Sequence, residues 1–159
     1  MSTPKEVTVV ELPPQKVLGM RKRGRYEIIP TMLMTTIQFA MEKGVTIAGP
    51  PIFIMHECSS EDAIKADQDG TADIEIAWPI TGKAPETDEI KCYILPGGKM
   101  AKIIHKGPYQ ESASSYEVLM SWMEMNGKKI KGPLREVYLN DPREVRPEDI
   151  LTEIYVPIA

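Results

Sequence analysis

The chain has 159 residues, enough for one domain with a sizeable core or for two small halves packed together. Hydrophobic residues make up 42% and charged residues 26%, and a formal net charge of −4 argues against wrapping a nucleic-acid backbone. Cys58 and Cys92 form no C-x-x-C pair, the start MSTPKEV lacks the apolar run of a signal peptide, and no stretch is long enough to span a bilayer; a reduced, cytoplasmic protein is expected.

In chain order, residues 7–11 and 16–23 alternate in hydropathy about a Pro-rich turn and read as two short strands. The basic run Arg21-Lys22-Arg23-Gly24-Arg25 closes the second of them. In an acidic chain a single such run is a solvated strand end before it is a nucleic-acid contact. A helix is predicted over 30–43, with Pro30 in its first turn, Gly44 at its carboxyl cap, and Leu33, Ile37, Ala40 and Met41 at helical spacing. Strands follow at 52–56 and 73–79, and the polar segment SSEDAIKADQDG between them reads as an exposed connection. In the second half a helix is expected over 110–126, with Tyr116, Leu119, Met120 and Met123 on one face. Strands at 134–139 and 151–156 close the chain.

This order occurs twice because the sequence matches itself at an offset of 83 residues. Leu12-Pro13 falls on Leu95-Pro96, Gly24 on Gly107, Tyr26 on Tyr109, Phe39 on Trp122, Gly44 on Gly127, and Gly49-Pro50 on Gly132-Pro133. After a five-residue change in loop length, Glu75-Ile76 and Pro79-Ile80 match Glu153-Ile154 and Pro157-Ile158. Shared glycines and prolines mark duplicated backbone geometry. The fold expected is α+β: two pseudo-symmetric strand-helix-strand-strand repeats, about 7–80 and about 89–159, with antiparallel sheets enclosing a central cleft in one domain spanning 1–159.

The duplication singles out Glu136. Strand alternation groups Leu134, Glu136 and Tyr138 on one face, and their duplicates include Phe53 and Met55, which belong inside. The carboxylate is therefore expected in an apolar, aromatic pocket, against the plainer reading of a glutamate on a wet strand face. Such a group has a raised pKa and can attract an organic cation, or act as an acid or a base on water. Trp122 and its duplicate Phe39 lie at the edge of their helix stripes, where a side chain can line a cleft or simply pack. Methionines 32, 34, 41, 55, 120, 123 and 125 read mostly as core filler, with an adaptable lining as the sharper alternative. His56 and Cys58 could share a strand face, but no further ligand pattern points to a metal, and no cofactor motif is present. His105 is expected exposed on a strand, and Ser114 and Ser115 on a helix surface.

HKGPY (His105 to Tyr109), SYEVLMSW (Ser115 to Trp122), GPLREVYLNDP (Gly132 to Pro142) and EDILTEIYVP (Glu148 to Pro157) together resemble the GyrI-like, or AraC-type effector-binding, domain family. The resemblance covers essentially the whole chain and is strongest in its second half. It implies two strand-helix-strand-strand repeats around a ligand cleft, with the family's buried acidic residue at Glu136, its strand tyrosine at Tyr138 and its helix tryptophan at Trp122. Phe53, Met55, Phe39 and Tyr116 complete the expected ligand-binding set. The first half departs from the pattern at His56-Glu57-Cys58. The function implied is a stand-alone binder of small hydrophobic or cationic molecules without direct nucleic-acid or membrane contact. Two alternatives stay open: a hydrolase of cyclopropane-bearing or similar electrophiles using Glu136 and Tyr138, or a protein-binding inhibitor of a topoisomerase. Any transcriptional role would run through a partner or regulator chain.

Overall fold

The computed structural model describes residues 6–159. In chain order the elements are β1 (Thr8–Leu12), β2 (Gln15–Gly24), α1 (Ile29–Glu42), β3 (Thr46–Ile47), β4 (Ile52–Met55), α2 (Ser60–Asp69), β5 (Ala72–Thr81), β6 (Ile90–Leu95), β7 (Gly98–Lys106), α3 (Ala113–Met125), β8 (Leu134–Tyr138) and β9 (Leu151–Pro157). Single 3-10 turns at Tyr26–Ile28 and Tyr109–Glu111 lead into α1 and α3. Among the described residues no helix is long and apolar enough to cross a membrane.

The chain divides into two compact units, Pro14–Pro96 (the first unit) and the residues up to Pro13 together with Gly97–Ala159 (the second). The first unit's strands run in the order β4-β5-β2-β6, with β3 paired to β5, and the second unit's run β8-β9-β7-β1, all antiparallel. Strands β1 and β2 do not form the hairpin that their Pro-rich junction suggests. Instead β1 pairs with β7, and its duplicate β6 pairs with β2. Pro13 and Pro14 stiffen the junction, and their fixed negative φ excludes the positive-φ turns that close a two-residue hairpin.

Registers repeat between the units. Ile76 lies between Met20 and Phe53, as Ile154 lies between Ile103 and Glu136. Buried positions of the helices repeat as well: Met32, Thr36 and Ala40 in α1 correspond to Ser115, Leu119 and Met123 in α3. The α1 stripe is thus centred one position from the predicted one, and Met41 is exposed. Hydropathy missed Thr36, whose hydroxyl donates to the Met32 carbonyl oxygen at 2.9 Å and so tolerates full burial. In the second unit α3 covers a core of Ala101, Ile103, Leu119, Met123, Ile154, Val156 and Ile158.

Three further expectations change. The segment 59–70 is a helix, α2, because Ser59 caps it by accepting from the Asp62 amide at 3.1 Å and Gly70 ends it at φ 70°. His105 and Ser115 are buried, not exposed: each satisfies the other at 2.8 Å, and the His105 Nε2 meets the Pro108 carbonyl oxygen at 2.9 Å. Met34, Met41 and Met125 are exposed and fill no core.

Candidate functional site

Glu136 and Tyr138 alternate onto the face of β8 that α3 covers, beside Leu134, which packs on the second unit's core. The Oε2 of Glu136 accepts a hydrogen bond from the Tyr116 hydroxyl, and its Oε1 accepts from the Tyr138 hydroxyl at 3.1 Å. Tyr116 comes from the first turn of α3, at the edge of the stripe that buries Leu119 and Met123. Tyr109, from the turn before α3, sets its ring edge-on to Tyr138 with centroids 5.3 Å apart. Three phenol rings from two segments and a strand therefore surround one carboxylate. Neighbouring Arg135 is buried on the opposite face.

Glu136 and Tyr138 keep part of their surface exposed, while the polar ends are desolvated. Burial pushes the Glu136 carboxyl above its ordinary 4.5; the hydrogen bonds from Tyr116 and Tyr138 and the nearby His105 oppose that shift. Burial, and then the charge of Glu136, holds the Tyr116 and Tyr138 phenols well above their ordinary 10, and Tyr109 is raised for the same two reasons. No lysine or arginine forms an ion pair with Glu136 among the described residues. Across the ladder from Tyr138 and from His105 stands Thr152, whose buried hydroxyl has no hydrogen-bond partner among the described residues. The site thus holds a carboxylate without a fixed cation and an unmatched hydroxyl on the same face.

Of the residues singled out by sequence, the structure gathers Glu136, Tyr138 and Tyr116. Trp122 packs against the second unit's hydrophobic cluster. Phe39, Phe53 and Met55 belong to the first unit. There Phe53 is buried edge-on to Tyr26 with centroids 5.9 Å apart, and Phe39 is half-buried with the Lys43 Nζ 6.0 Å from its ring centre. Sequence reasoning missed Tyr109 and His105; the match of Tyr26 to Tyr109 was the available signal for the first.

It also missed a polar network in the first unit. Glu75 on β5 accepts from His56 Nε2 at 2.7 Å and from the Tyr93 hydroxyl at 2.6 Å. Glu57 accepts from the Tyr26 hydroxyl and from the Asp73 amide at 3.0 Å. Arg21 forks onto Asp73 at 2.8 and 2.6 Å, so the basic run is a strand end with a carboxylate partner. Cys58 is exposed, and among the described residues no group of three or more His, Cys, Asp or Glu is placed to hold a metal ion.

The second copy of the duplicated α+β unit thus carries a desolvated carboxylate ringed by phenols, which is a place for a small molecule. Residues 5–159 match the family model described as the GyrI-like small molecule binding domain, and the chain belongs to that family. Among solved structures it is similar to the EcmrR C-terminal domain (TM-score 0.86, 20% identity, 99% of each chain covered). It is also similar to EcmrR in an EcmrR–DNA complex (TM-score 0.84, 21% identity), covering 97% of this chain but only 57% of the length of that one. A hydrolase from Listeria innocua (TM-score 0.68, 15% identity, 97% and 92% covered) and SAV2435 bound to tetraphenylphosphonium (TM-score 0.59, 15% identity, 97% and 94% covered) share the fold. No curated protein sequence matches.

Proposed function

We propose that the protein binds lipophilic organic cations, with Glu136 as the electrostatic anchor and Tyr109, Tyr116 and Tyr138 as the aromatic wall. The observation that carries this reading is the Glu136 carboxylate, desolvated, ringed by phenols and without a fixed counter-cation. A buried ionised carboxylate is costly unless paired, so a cation that enters gains from neutralising it, and the ring faces add to that attraction. The unpartnered Thr152 hydroxyl supports a site that a ligand completes. SAV2435, which shares the fold, was solved with tetraphenylphosphonium, and this supports the choice of probe.

Hydrolysis ranks second on the geometry. Both carboxylate oxygens of Glu136 already accept a phenol hydrogen bond, so a water must share or displace one of these donors to reach either oxygen. A base poised for catalysis would leave one oxygen open. Incubation with a cyclopropane-bearing electrophile is expected to consume at most one equivalent per protein; sustained turnover lost in Tyr138→Phe would reverse the ranking.

The deciding measurement is calorimetry of tetraphenylphosphonium and of a neutral isostere such as tetraphenylmethane derivatised for solubility. Glu136→Gln keeps the shape and removes the charge, so cation affinity is expected to fall by about 1.5–3 kcal/mol while the neutral compound changes little. Equal changes for both compounds would show that the carboxylate is not the anchor.

A further inference from the structure

A second carboxylate, independent of Glu136, lies on the first unit's sheet face opposite α1. Glu75 is buried on β5, and the repeat matches it to Glu153 on β9. The two duplicates are neutralised differently. Lys102 reaches Glu153 at 2.7 Å and gives it a permanent cation, with the Tyr155 hydroxyl donating at 3.1 Å. Among the described residues Glu75 instead accepts hydrogen bonds only from the His56 imidazole and the Tyr93 phenol, while Arg21, its cross-strand neighbour, feels its charge but forks onto Asp73. The position of Lys102 is occupied in the first unit by Gly19. That glycine makes the room: an added Cβ would collide with the Tyr93 hydroxyl and stand 2.7 Å from the Ile76 carbonyl oxygen. The duplication has therefore replaced a lysine with space, and a tyrosine from β6 fills part of it.

Beside it runs a half-open groove of about 440 Å³ whose lining includes Gly19, Arg21, Glu75, Glu89, Lys91 and Tyr93. Its cations are largely engaged: Arg21 with Asp73, and Lys22 with Glu89 at 3.8 Å. Lys91 and Asp88 add one charge of each sign to the lining. The hydrogen-bonding chemistry at its inner end is one-sided. A carboxylate can only accept, so the Tyr93 proton and the His56 Nε2 proton both point at Glu75. What remains at Glu75 and at the Tyr93 oxygen is unfilled acceptor capacity, and only a donor-rich group can use it.

We propose that this groove is a second ligand site, built on Glu75 and Tyr93 with His56 bonded to Glu75 outside the lining, for small molecules carrying an amidinium, guanidinium or primary ammonium head. It differs in kind from the Glu136 site, whose aromatic wall suits a lipophilic cation without N–H donors, and it does not depend on that reading. The planar N–H fork of an amidinium matches a carboxylate with free lone pairs, and Tyr93 supplies both an acceptor and a ring edge.

The chain's two histidines make the test direct. His56 donates to Glu75, and His105 lies close enough to Glu136 to influence its charge. Benzamidinium is titrated into the full chain while both imidazoles are followed by NMR, with tetraphenylphosphonium as the comparison probe. The expected result is saturable movement of the His56 signals alone with benzamidinium. Glu75→Gln should weaken that binding about tenfold or more, and Glu136→Gln should leave it unchanged. Stationary His56 signals, movement confined to His105, or unchanged affinity in a folded Glu75→Gln protein overturns the proposal. Should that variant fail to fold, the wild-type titration decides alone. A failure of tetraphenylphosphonium to bind, with His56 still responding to benzamidinium, would count against the Glu136 reading only.

Discussion

Phe53 and Glu136 occupy the same place in two copies of one fold, each opposite an isoleucine of the central strand and each under a helix. In the first unit the pocket is closed by apolar matter: Phe53 is buried, Met55 follows it, and Leu33 stands where the second unit has Tyr116. In the second unit three positions changed together, to Glu136, Tyr138 and Tyr116, and the carboxylate found its donors among its companions. The backbone tolerates either filling. What it does not tolerate is half of the exchange, since a buried charge without donors costs several kcal/mol.

The largest expected effect follows from making that half-exchange. Phe53→Glu places a carboxylate where Leu33 and Met55 offer no donor and where the Tyr26 hydroxyl already serves Glu57. Loss of about 3–5 kcal/mol, read by urea denaturation, is expected, which is enough to unfold a marginal domain. A loss below about 1 kcal/mol would mean that the two pockets are not equivalent environments.

Removing one companion in the second unit should cost less. Tyr116→Phe leaves Glu136 with the Tyr138 hydroxyl alone, and about 1–3 kcal/mol of stability should go at neutral pH. The same change should raise the Glu136 pKa further, because a donor to the charged form is lost. Carbon-detected NMR of the carboxyl group checks both direction and site.

The charge of Glu136 also leaves a pH signature. Its folded pKa stands above the ordinary 4.5, so in the window above 4.5 the folded protein holds a proton that the unfolded chain has released. The associated stability is present below that window and is lost as pH rises through the folded pKa. Glu136→Gln cannot titrate, so wild type should lose ground to the variant as pH rises from the ordinary 4.5 through the folded pKa. Cation binding should run the other way, strengthening over the same range as the carboxylate ionises. A stability difference that is flat with pH would contradict the assignment of burial as the dominant influence on Glu136.

The element order and the equivalence of the halves were legible because glycines, prolines and apolar periods report local geometry, and local geometry was duplicated. Strand partners were not, since the Leu-Pro junctions at 12–13 and 95–96 look alike whether a strand folds back or pairs with a distant one. At the site, Glu136 stood out because its duplicate is Phe53, and contrast between copies is visible in a sequence. Glu75 did not stand out, because its duplicate Glu153 is also acidic and the difference lies in their partners, Lys102 against His56 and Tyr93. Ser115 and His105 were misread for a related reason: each is polar alone, and only their meeting at 2.8 Å makes burial affordable for both.

The smallest expected effect concerns the one helix without a counterpart. Between β4 and β5 the first unit inserts α2, whereas the second unit joins β8 to β9 with a loop and the single 3-10 turn Pro147–Asp149. No residue of α2 is fully buried, so little packing holds it and its ends must do so. Ser59 accepts the Asp62 amide, Glu61 and Asp62 place negative charge at the helix start, and Gly70 turns the chain at φ 70° with amide bonds back into the last turn. Ser59→Ala should therefore destabilise α2 by about 1 kcal/mol, within the usual range for losing such a cap. The loss should appear as faster amide exchange confined to 60–70, with tetraphenylphosphonium affinity unchanged, because the proposed anchor Glu136 belongs to the unit that lacks this helix. Faster exchange spreading to β4 and β5 would instead make α2 part of the first unit's cooperative core.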